Sequence, residues 1–333
     1  MPYNSTSNSR GSITMSKLFF AILLSFVSLF FIQNLQAACT LSPLTRAVDF
    51  TAANPKNSFE IQTSQDMVST TMGIECPGSL LSILGDNTVT ATIINSSGFK
   101  LSKNSINIPY ILCQDTNCTN IYQNGSTIIW RSQELLDLLE LFGRIKIDLP
   151  LYLKILPSEN TDLIAGTYND TINIRWDWSI CTSVNLLGIC LSRDTGSETA
   201  TINVTLEVTN VCEINSAPDV NFGSAALPSS FNTVNSNTLQ TRCTKDANYS
   251  IKLTSTQGEI DGMRQMLATV NGSNYYLQYQ LYRSGVAWTS TNDLSMTGLG
   301  TIQDIPYQAK INADQQNIPA GSYSDTVTVT ITY

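Results

Sequence analysis

The sequence predicts an all-β protein made of two tandem antiparallel β-sandwiches. Short segments that alternate apolar and polar residues recur along the chain, with β-branched residues on one face, as in Thr88–Ile94, Thr201–Val208 and Thr326–Tyr333. Turn signals such as Asn124-Gly125 separate these segments, a pattern typical of sandwiches. Only 13% of the residues are charged, while Thr, Ser and Asn abound, which favours a secreted β-protein.

A repeated phrase predicts that the two sandwiches are copies of one module. Ala165-Gly-Thr-Tyr-Asn-Asp-Thr-Ile-Asn-Ile174 returns 155 residues later as Ala320-Gly-Ser-Tyr-Ser-Asp-Thr-Val-Thr-Val329. That offset is close to one domain length, and each copy is long enough to bury its own core. We therefore expect an N-terminal domain at 38–210 and a C-terminal domain at 211–333.

Residues 1–37 have the features of a secretory signal peptide. Arg10 and Lys17 are basic, the run from Leu18 to Ile32 is apolar, and Leu35-Gln-Ala37 offers a small-residue cleavage site. A transmembrane anchor is the alternative, but the run is short for a bilayer span, which needs about 20 residues. We expect export and a mature chain that begins at Ala38, although Met15 is an alternative start.

The cysteines predict disulfides rather than a metal site. Eight remain after the signal, and an even number in an exported chain indicates an oxidising compartment. Zinc is the weaker alternative, because the chain has no histidine and no C-x-x-C, and we expect neither metal nor cofactor. Among the many possible connectivities, local spacing favours Cys39–Cys76, Cys113–Cys118, Cys181–Cys190 and Cys212–Cys243.

Charge and composition argue against two classes of function. The net charge of −8 at pH 7 is unfavourable for binding nucleic acid. The absence of histidine removes Ser-His-Asp and Cys-His catalysis. Paired carboxylates could hydrolyse glycosides, but the densest pair, Asp137 and Glu140, lies on the polar face of an amphipathic segment, where solvation explains it. We expect the protein not to be an enzyme.

Four motifs resemble the spore coat protein U domain family, and each occurs in both copies. They are the Cys-x-(Leu/Ile) opening at Cys39 and Cys212, a Val-x-Phe step, a second cysteine, and the closing Ala-Gly-(Thr/Ser)-Tyr-x-Asp-Thr strand. The Val-x-Phe steps are Val48-Asp-Phe50 and Val220-Asn-Phe222, and the second cysteines are Cys76 and Cys243. The family supplies the subunits of archaic chaperone–usher pili, including Csu-type pili, and a two-copy chain is similar to their tip adhesins.

The resemblance implies a fold and a set of partners. The family's domain is an immunoglobulin-like sandwich that lacks one strand, and a neighbouring subunit donates an N-terminal extension to complete it. A periplasmic chaperone occupies the groove before assembly at an outer-membrane usher. Strand addition of this kind uses main-chain hydrogen bonds and alternate apolar side chains, and it covers an edge that would otherwise aggregate.

Two features predict the tip position. Only Ala38 precedes Cys39 in the expected mature chain, which leaves no extension to donate. The segment 199–209 alternates strictly, and we infer that it completes the first domain from within, leaving the second domain for the next subunit; the alternative is an ordinary strand of the second repeat. Its apolar face consists of Ala200, Ile202, Val204, Leu206 and Val208.

Three leucine-rich segments distinguish the first copy. They are Pro77–Gly85, Glu134–Gly143, for which Ser132 is a candidate N-cap, and Ser183–Ile189 between Cys181 and Cys190. Apolar loops at one end of a secreted sandwich would form a binding surface, although the first two could instead pack into the core. The candidate surface residues are Leu80, Leu81, Ile83, Leu84, Leu135, Leu136, Leu138, Leu139, Phe142, Val184, Leu186, Leu187 and Ile189. Trp176 and Trp178 are expected in the core.

The apolar segments favour binding to an apolar surface, and the resemblance implies a cell-surface tip adhesin that attaches to abiotic surfaces and starts biofilms. A lectin-type adhesin remains open and would need a polar, aromatic pocket, to which Asp115-Thr-Asn-Cys118 could contribute. A structural pilus or coat subunit also remains open, and it would need a donor extension before Cys39.

Overall fold

The computed structural model of the 333-residue chain describes Met1 and residues 39–52, 54–77, 86–136, 144–157, 163–184 and 189–333. The predicted signal peptide therefore lies outside the described residues, apart from Met1. Within the described ranges, no helix is long and apolar enough to cross a membrane.

The first unit contains twelve strands, β1 to β12, and two short helices, α1 (Ser58–Thr63) and α2 (Ser132–Leu136). The strands are Thr40–Leu41, Thr45–Asp49, Lys56–Asn57, Met67–Pro77, Thr88–Ile94, Lys100–Lys103, Ile106–Cys113, Ile121–Tyr122, Thr127–Arg131, Arg144–Ile155, Gly166–Val184 and Cys190–Thr209. Asn57 caps α1 and forms a capping box with Glu60, which explains why a helix of six residues is stable there.

Two layers enclose the core of the first unit. One layer has the order β1-β4-β10-β7, and the other has the order β9-β5-β11-β12-β2, with β6 joining β7 to β11. The pairing is antiparallel except where β2 and β3 run parallel to β12. Period-two alternation sends every second side chain inward, and one continuous apolar cluster results.

The second unit contains strands β13 to β22 and a 3₁₀ turn at Pro228–Ser230. The strands are Cys212–Ser216, Val234–Cys243, Asn248–Ser255, Glu259–Ile260, Met263–Val270, Ser273–Arg283, Val286–Ala287, Leu294–Thr297, Ile302–Ile311 and Val327–Thr332. One layer has the order β13-β14-β21-β18-β17-β16, and it matches the first layer of the first unit. The other has the order β20-β15-β22 and matches β9-β5-β11; among the described residues it has no counterparts of β12 and β2.

This architecture confirms the predicted all-β class and the two sandwiches, of which the second lacks a strand. The predicted strand Thr88–Ile94 is β5, and the predicted domain boundary at 210/211 falls between β12 and β13. The segment 199–209 extends further than predicted, because β12 begins at Cys190 and pairs along β11 over nearly its whole length.

The eight cysteines form the four pairs that their spacing predicts. Cys39 bonds to Cys76 and Cys212 bonds to Cys243 at equivalent places in the two units. The other two pairs close short segments of the first unit, Cys113–Cys118 and Cys181–Cys190. The described cysteines include no free thiol.

Candidate functional site

The residues that flank all three leucine-rich segments lie at one end of the first unit. Most of those segments lie outside the described residues, but the residues that flank them do not. Pro77, before the first segment, lies opposite Arg144, after the second, in the β4–β10 ladder. The N–H of Asn87, after the first segment, donates to Ser132 Oγ at 2.8 Å, and Asn87 Oδ1 accepts from the N–H of Cys181 at 2.6 Å. We call this region, residues 77, 86–87, 132–136, 144, 179–184 and 189–194, the loop-bearing end.

Two charged residues of β12 brace the loop-bearing end. Arg193 Nη1 donates to the carbonyl of Asp86 at 2.6 Å and to Ser179 Oγ at 2.8 Å. These bonds join the β11–β12 hairpin to the residue that follows the first segment. Asp194 Oδ2 accepts from Trp178 Nε1 at 3.3 Å and from the N–H of Cys39 at 3.1 Å. These contacts hold the residues that flank the first and third segments.

Apolar side chains are exposed beside the Cys181–Cys190 disulfide. Ile189, a predicted surface residue, is 58% exposed, and Leu191 is 67% exposed. Leu191 is absent from the sequence-based prediction, because it follows the cysteine and was outside the predicted loop. Its position in a strand with no buried neighbour on either side, at 190 and 192, is the signal that could have identified it.

The structure corrects one predicted surface residue. Leu135 has no exposed surface and belongs to the core cluster of the first unit, so it cannot contact a partner. A helical periodicity groups residues on one face, but it does not say whether that face meets solvent or the sandwich. Ser132, the predicted N-cap, is instead the first residue of α2, and its Oγ accepts a hydrogen bond from Asn87.

The side chains of the remaining surface candidates are not described. Leu136 lies in α2 and Val184 lies in β11, but their side chains are not described. The rest fall outside the described residues: Leu80, Leu81, Ile83, Leu84, Leu138, Leu139, Phe142, Leu186 and Leu187.

Tryptophan side chains pack in the core of the first unit next to the loop-bearing end. Trp176 is fully buried, as expected, and stacks on Trp130 with ring centroids 5.7 Å apart. Trp178 is half-buried, packs against the same core, and covers Gly196, where a Cβ would lie 2.3 Å from the ring.

A second candidate site is a cleft in the second unit that both apolar and polar side chains line. Its volume is about 900 Å³, and its walls include Val220, Phe222, Tyr279, Trp288, Val327 and Val329. β22 pairs with β15 along one edge, and among the described residues no strand pairs with its other edge. In the first unit the equivalent edge of β11 carries β12.

The repeated phrase shows how the two units differ. Tyr168 and Tyr323 each donate a hydrogen bond to the carbonyl four residues earlier, at Ile164 and Pro319, a tyrosine corner in both units. Tyr168 is fully buried beneath β12, whereas Tyr323 is half-buried at the cleft. Residues Ile172 and Ile174 of β11 are also fully buried, whereas their counterparts in β22 are only half-buried.

The aspartate that both phrases share accepts a hydrogen bond from a core tyrosine in each unit. Tyr110 donates to Asp170 at 2.6 Å, and Tyr279 donates to Asp325 at 2.7 Å. Burial, together with the adjacent carboxylate, raises the pKa of both phenols above their usual range. The pair therefore anchors the closing strand to the opposite layer in each unit.

A buried ion pair supports the second unit near the cleft. The Arg264 guanidinium has no exposed surface and lies 3.1 Å from Glu259, and its Nη2 also donates to the carbonyl of Leu253. Burial lowers the pKa of Arg264, and the carboxylate of Glu259 opposes that effect.

The polar disulfide loop at Cys113–Cys118 satisfies its own acidic group. Asp115 Oδ1 accepts the N–H groups of Asn117 at 2.8 Å and Thr119 at 3.3 Å, and Oδ2 accepts that of Asn120 at 3.3 Å. The described residues contain no group of three or more acidic, cysteine or histidine side chains placed to hold a metal ion.

Comparison with solved structures found a match over most of the chain. A chaperone–tip subunit pre-assembly complex from archaic Csu pili of Acinetobacter baumannii is 20% identical, with a TM-score of 0.51, over 89% of this chain and 100% of that one. The adhesive subunit CfaE of CFA/I fimbriae from enterotoxigenic Escherichia coli is 12% identical, with a TM-score of 0.30, over 88% of this chain and 81% of that one. A sequence comparison with curated proteins found no match.

The family model of the Spore Coat Protein U domain matches residues 26–175 and 198–330. These two segments contain both copies of the closing phrase, and together they span most of the chain. The protein therefore belongs to the spore coat protein U domain family.

Proposed function

We propose that the protein is the tip adhesin of an archaic chaperone–usher pilus and attaches to apolar surfaces through the loop-bearing end. The proposal rests on the hydrogen bonds of Asn87 with both Ser132 and Cys181. These bonds bring together the residues that flank the three leucine-rich segments. Leucine-rich segments that start from one braced end can present a contiguous apolar patch.

The chemistry of such a patch suits surfaces without a specific receptor. An apolar side chain that leaves water contributes roughly 1.5–3 kcal/mol, whatever the surface that covers it. Several such contacts on one tip, multiplied by many pili, give strong attachment from weak individual interactions. Attachment of this kind would begin biofilm formation.

The assembly half of the proposal rests on the second unit. Its cleft lies where β12 fills the first unit, so a donated strand from the next pilus subunit would pair with the open edge of β22. Before assembly, a periplasmic chaperone would cover the same edge and deliver the chain to an outer-membrane usher. The Acinetobacter structure is itself a chaperone–tip subunit complex. The mature protein would then reside at the cell surface.

Within the first unit, β12 takes the role of the donated strand. Ala200, Ile202, Val204 and Leu206 have no exposed surface, and β12 lies between β11 and β2. An internal donor leaves the first unit complete and free to face outward, which fits a terminal position in the pilus.

Attachment of the purified full chain to polystyrene tests the adhesive role. The double substitution Leu186→Asp and Leu187→Asp places two charges in the disulfide-closed segment and should lower the attached amount at least tenfold, because burying a charge against an apolar surface is costly. Leu80→Asp and Leu138→Asp test the other two segments in the same way.

The matched control is Val286→Asp, which changes an apolar residue of the second unit that is 61% exposed. The proposal fails if Val286→Asp weakens attachment as much as the loop substitutions do. It also fails if the loop variants attach normally while binding to a particular glycan is lost on changing polar residues, the outcome expected of a lectin.

A synthetic peptide with the sequence of residues 199–209 tests the assembly role. Trp288 lines the cleft, so its fluorescence should change as the peptide binds the full chain. A control peptide carrying Ile202→Asp and Leu206→Asp should not bind, because it would bury two charges. Equal responses to both peptides would show that the cleft does not select an alternating apolar strand.

A further inference from the structure

The two units contact each other around the connection between β12 and β13. Neither the adhesive role nor the assembly role requires these contacts. The connection between β12 and β13 is short, since β12 ends at Thr209 and β13 begins at Cys212. Val211 in this connection is fixed to Thr244 of the second unit: its N–H donates to Thr244 Oγ1 at 2.9 Å, and its carbonyl accepts the Thr244 N–H at 2.9 Å.

Helix α1 of the first unit contacts the second unit on one side of this connection. Arg242 lies with its guanidinium carbon 3.9 Å from the centre of the Phe59 ring, and its Nη2 donates to Gln62 at 2.7 Å. Its Nε donates to the carbonyl of Gly300, so the guanidinium is held from both units. Ser58 and Thr244 share a buried hydrogen bond of 2.8 Å beside it.

A separate contact lies on the other side of the connection. Ile164, just before β11, forms a parallel bridge with Lys245. β11 and β3 flank β12 on opposite edges near its end, because Val208 lies opposite both Gly166 and Lys56. Rotation about the connection in either direction would therefore break the contacts on one side or the other.

From these contacts we propose that the two units form one rigid body, held by a clasp of Ser58, Phe59 and Gln62 on one unit and Arg242 and Thr244 on the other. The clasp fixes the direction of the loop-bearing end relative to the cleft. β12 runs without interruption from Cys190 at the loop-bearing end to Thr209 at the clasp, roughly 66 Å at 3.3 Å per residue. Load applied at the loops then passes along one continuous strand into the second unit, without a hinge in its path.

A distance measurement between two spin labels tests the clasp. It uses double electron–electron resonance on the full chain without its predicted signal peptide. Lys100 and Lys252 are exposed residues of strands in the first and second units. Non-canonical amino acids at these positions would carry the labels without disturbing the disulfides. We expect one narrow distance distribution, and Arg242→Ala or Phe59→Ala should at least double its width.

The matched control is Lys310→Ala, which removes a cation–aromatic contact with Tyr282 inside the second unit and should leave the width unchanged. Gln62→Ala provides a milder variant in case Phe59→Ala fails to fold, and intact disulfides by mass spectrometry show that each variant is native. A broad or multiple distribution for the unmodified chain would overturn the proposal. A narrow distribution that persists in the Arg242→Ala, Gln62→Ala double variant would do the same. Neither result depends on which surface the loops bind.

Discussion

Replacing Leu206 with alanine should destabilise the first unit and leave the second unchanged. Leu206 has no exposed surface, lies opposite Tyr168 in the β11–β12 ladder, and belongs to the core cluster of the first unit. Truncation of a fully buried leucine costs about 2–5 kcal/mol, because it removes apolar contact and leaves a cavity. With a urea dependence of about 2 kcal/mol per molar, a loss of 3 kcal/mol lowers the unfolding midpoint by about 1.5 M.

Tryptophan fluorescence can assign the loss to one unit. Trp130, Trp176 and Trp178 lie in the first unit, and the only other tryptophan, Trp288, lies in the second. In a Trp288→Phe background, the fluorescence therefore reports only on the first unit. Urea unfolding of that protein, with and without Leu206→Ala, gives the free-energy difference directly.

The control for this experiment is Asn203→Ala on the exposed face of the same strand, expected to change stability by less than about 0.5 kcal/mol. If Leu206→Ala leaves the first unit's midpoint unchanged in the Trp288→Phe background, residues 199–209 do not stabilise the first unit. The internal-donor interpretation would then be wrong.

Three further outcomes are expected from changes to the repeated phrase and the buried charges. Tyr168→Phe should cost the first unit about 1–3 kcal/mol in thermal unfolding, because both backbone groups of Ile164 lose a buried partner, whereas Tyr323→Phe at the half-open cleft should cost less. The raised pKa of the Tyr110 phenol means that the unfolded chain releases this proton more readily, so stability is full below about pH 10 and then falls by about 1.4 kcal/mol per pH unit. Rapid urea titrations from pH 9 to 11 should show a loss of stability to which this phenol contributes, and Tyr110→Phe should reduce the slope by that contribution. Glu259→Gln leaves a buried arginine without its counter-charge and should cost the second unit about 3–5 kcal/mol by circular dichroism.

Local patterns in the sequence predicted the features that depend on local chemistry. Period-two alternation defined β5 because its inward residues are all apolar and turn residues bound it on both sides. Cysteine spacing predicted the disulfides because neighbouring strands bring close positions together, as at Cys113 and Cys118. The repeated phrase predicted two equivalent closing strands, and it also contains the tyrosine corner of each unit.

Features that depend on long-range packing were not predictable in this way. The parallel pairing of β2 with β12 joins residues about 156 positions apart, and no sequence pattern in either segment predicts it. Leu135 was ambiguous because helical spacing cannot say which environment a face meets. The clasp formed by Phe59 and Arg242 was missed for a similar reason, since neither residue has a local signature of contact between domains.

Contacts within the second unit hold the strand at the edge of its cleft. Tyr323 holds the start of the closing strand through Pro319, Asp325 holds it through Tyr279, and β15 pairs with β22 along its other edge. None of these contacts involves the missing strand, and the equivalent three contacts are present in the completed first unit. A strand donated as we propose would therefore leave little of the receiving unit to order, and most of the ordering cost would fall on the donor. The same phrase can thus serve a filled and an unfilled sandwich, because it fixes the receiving strand without help from the strand it receives.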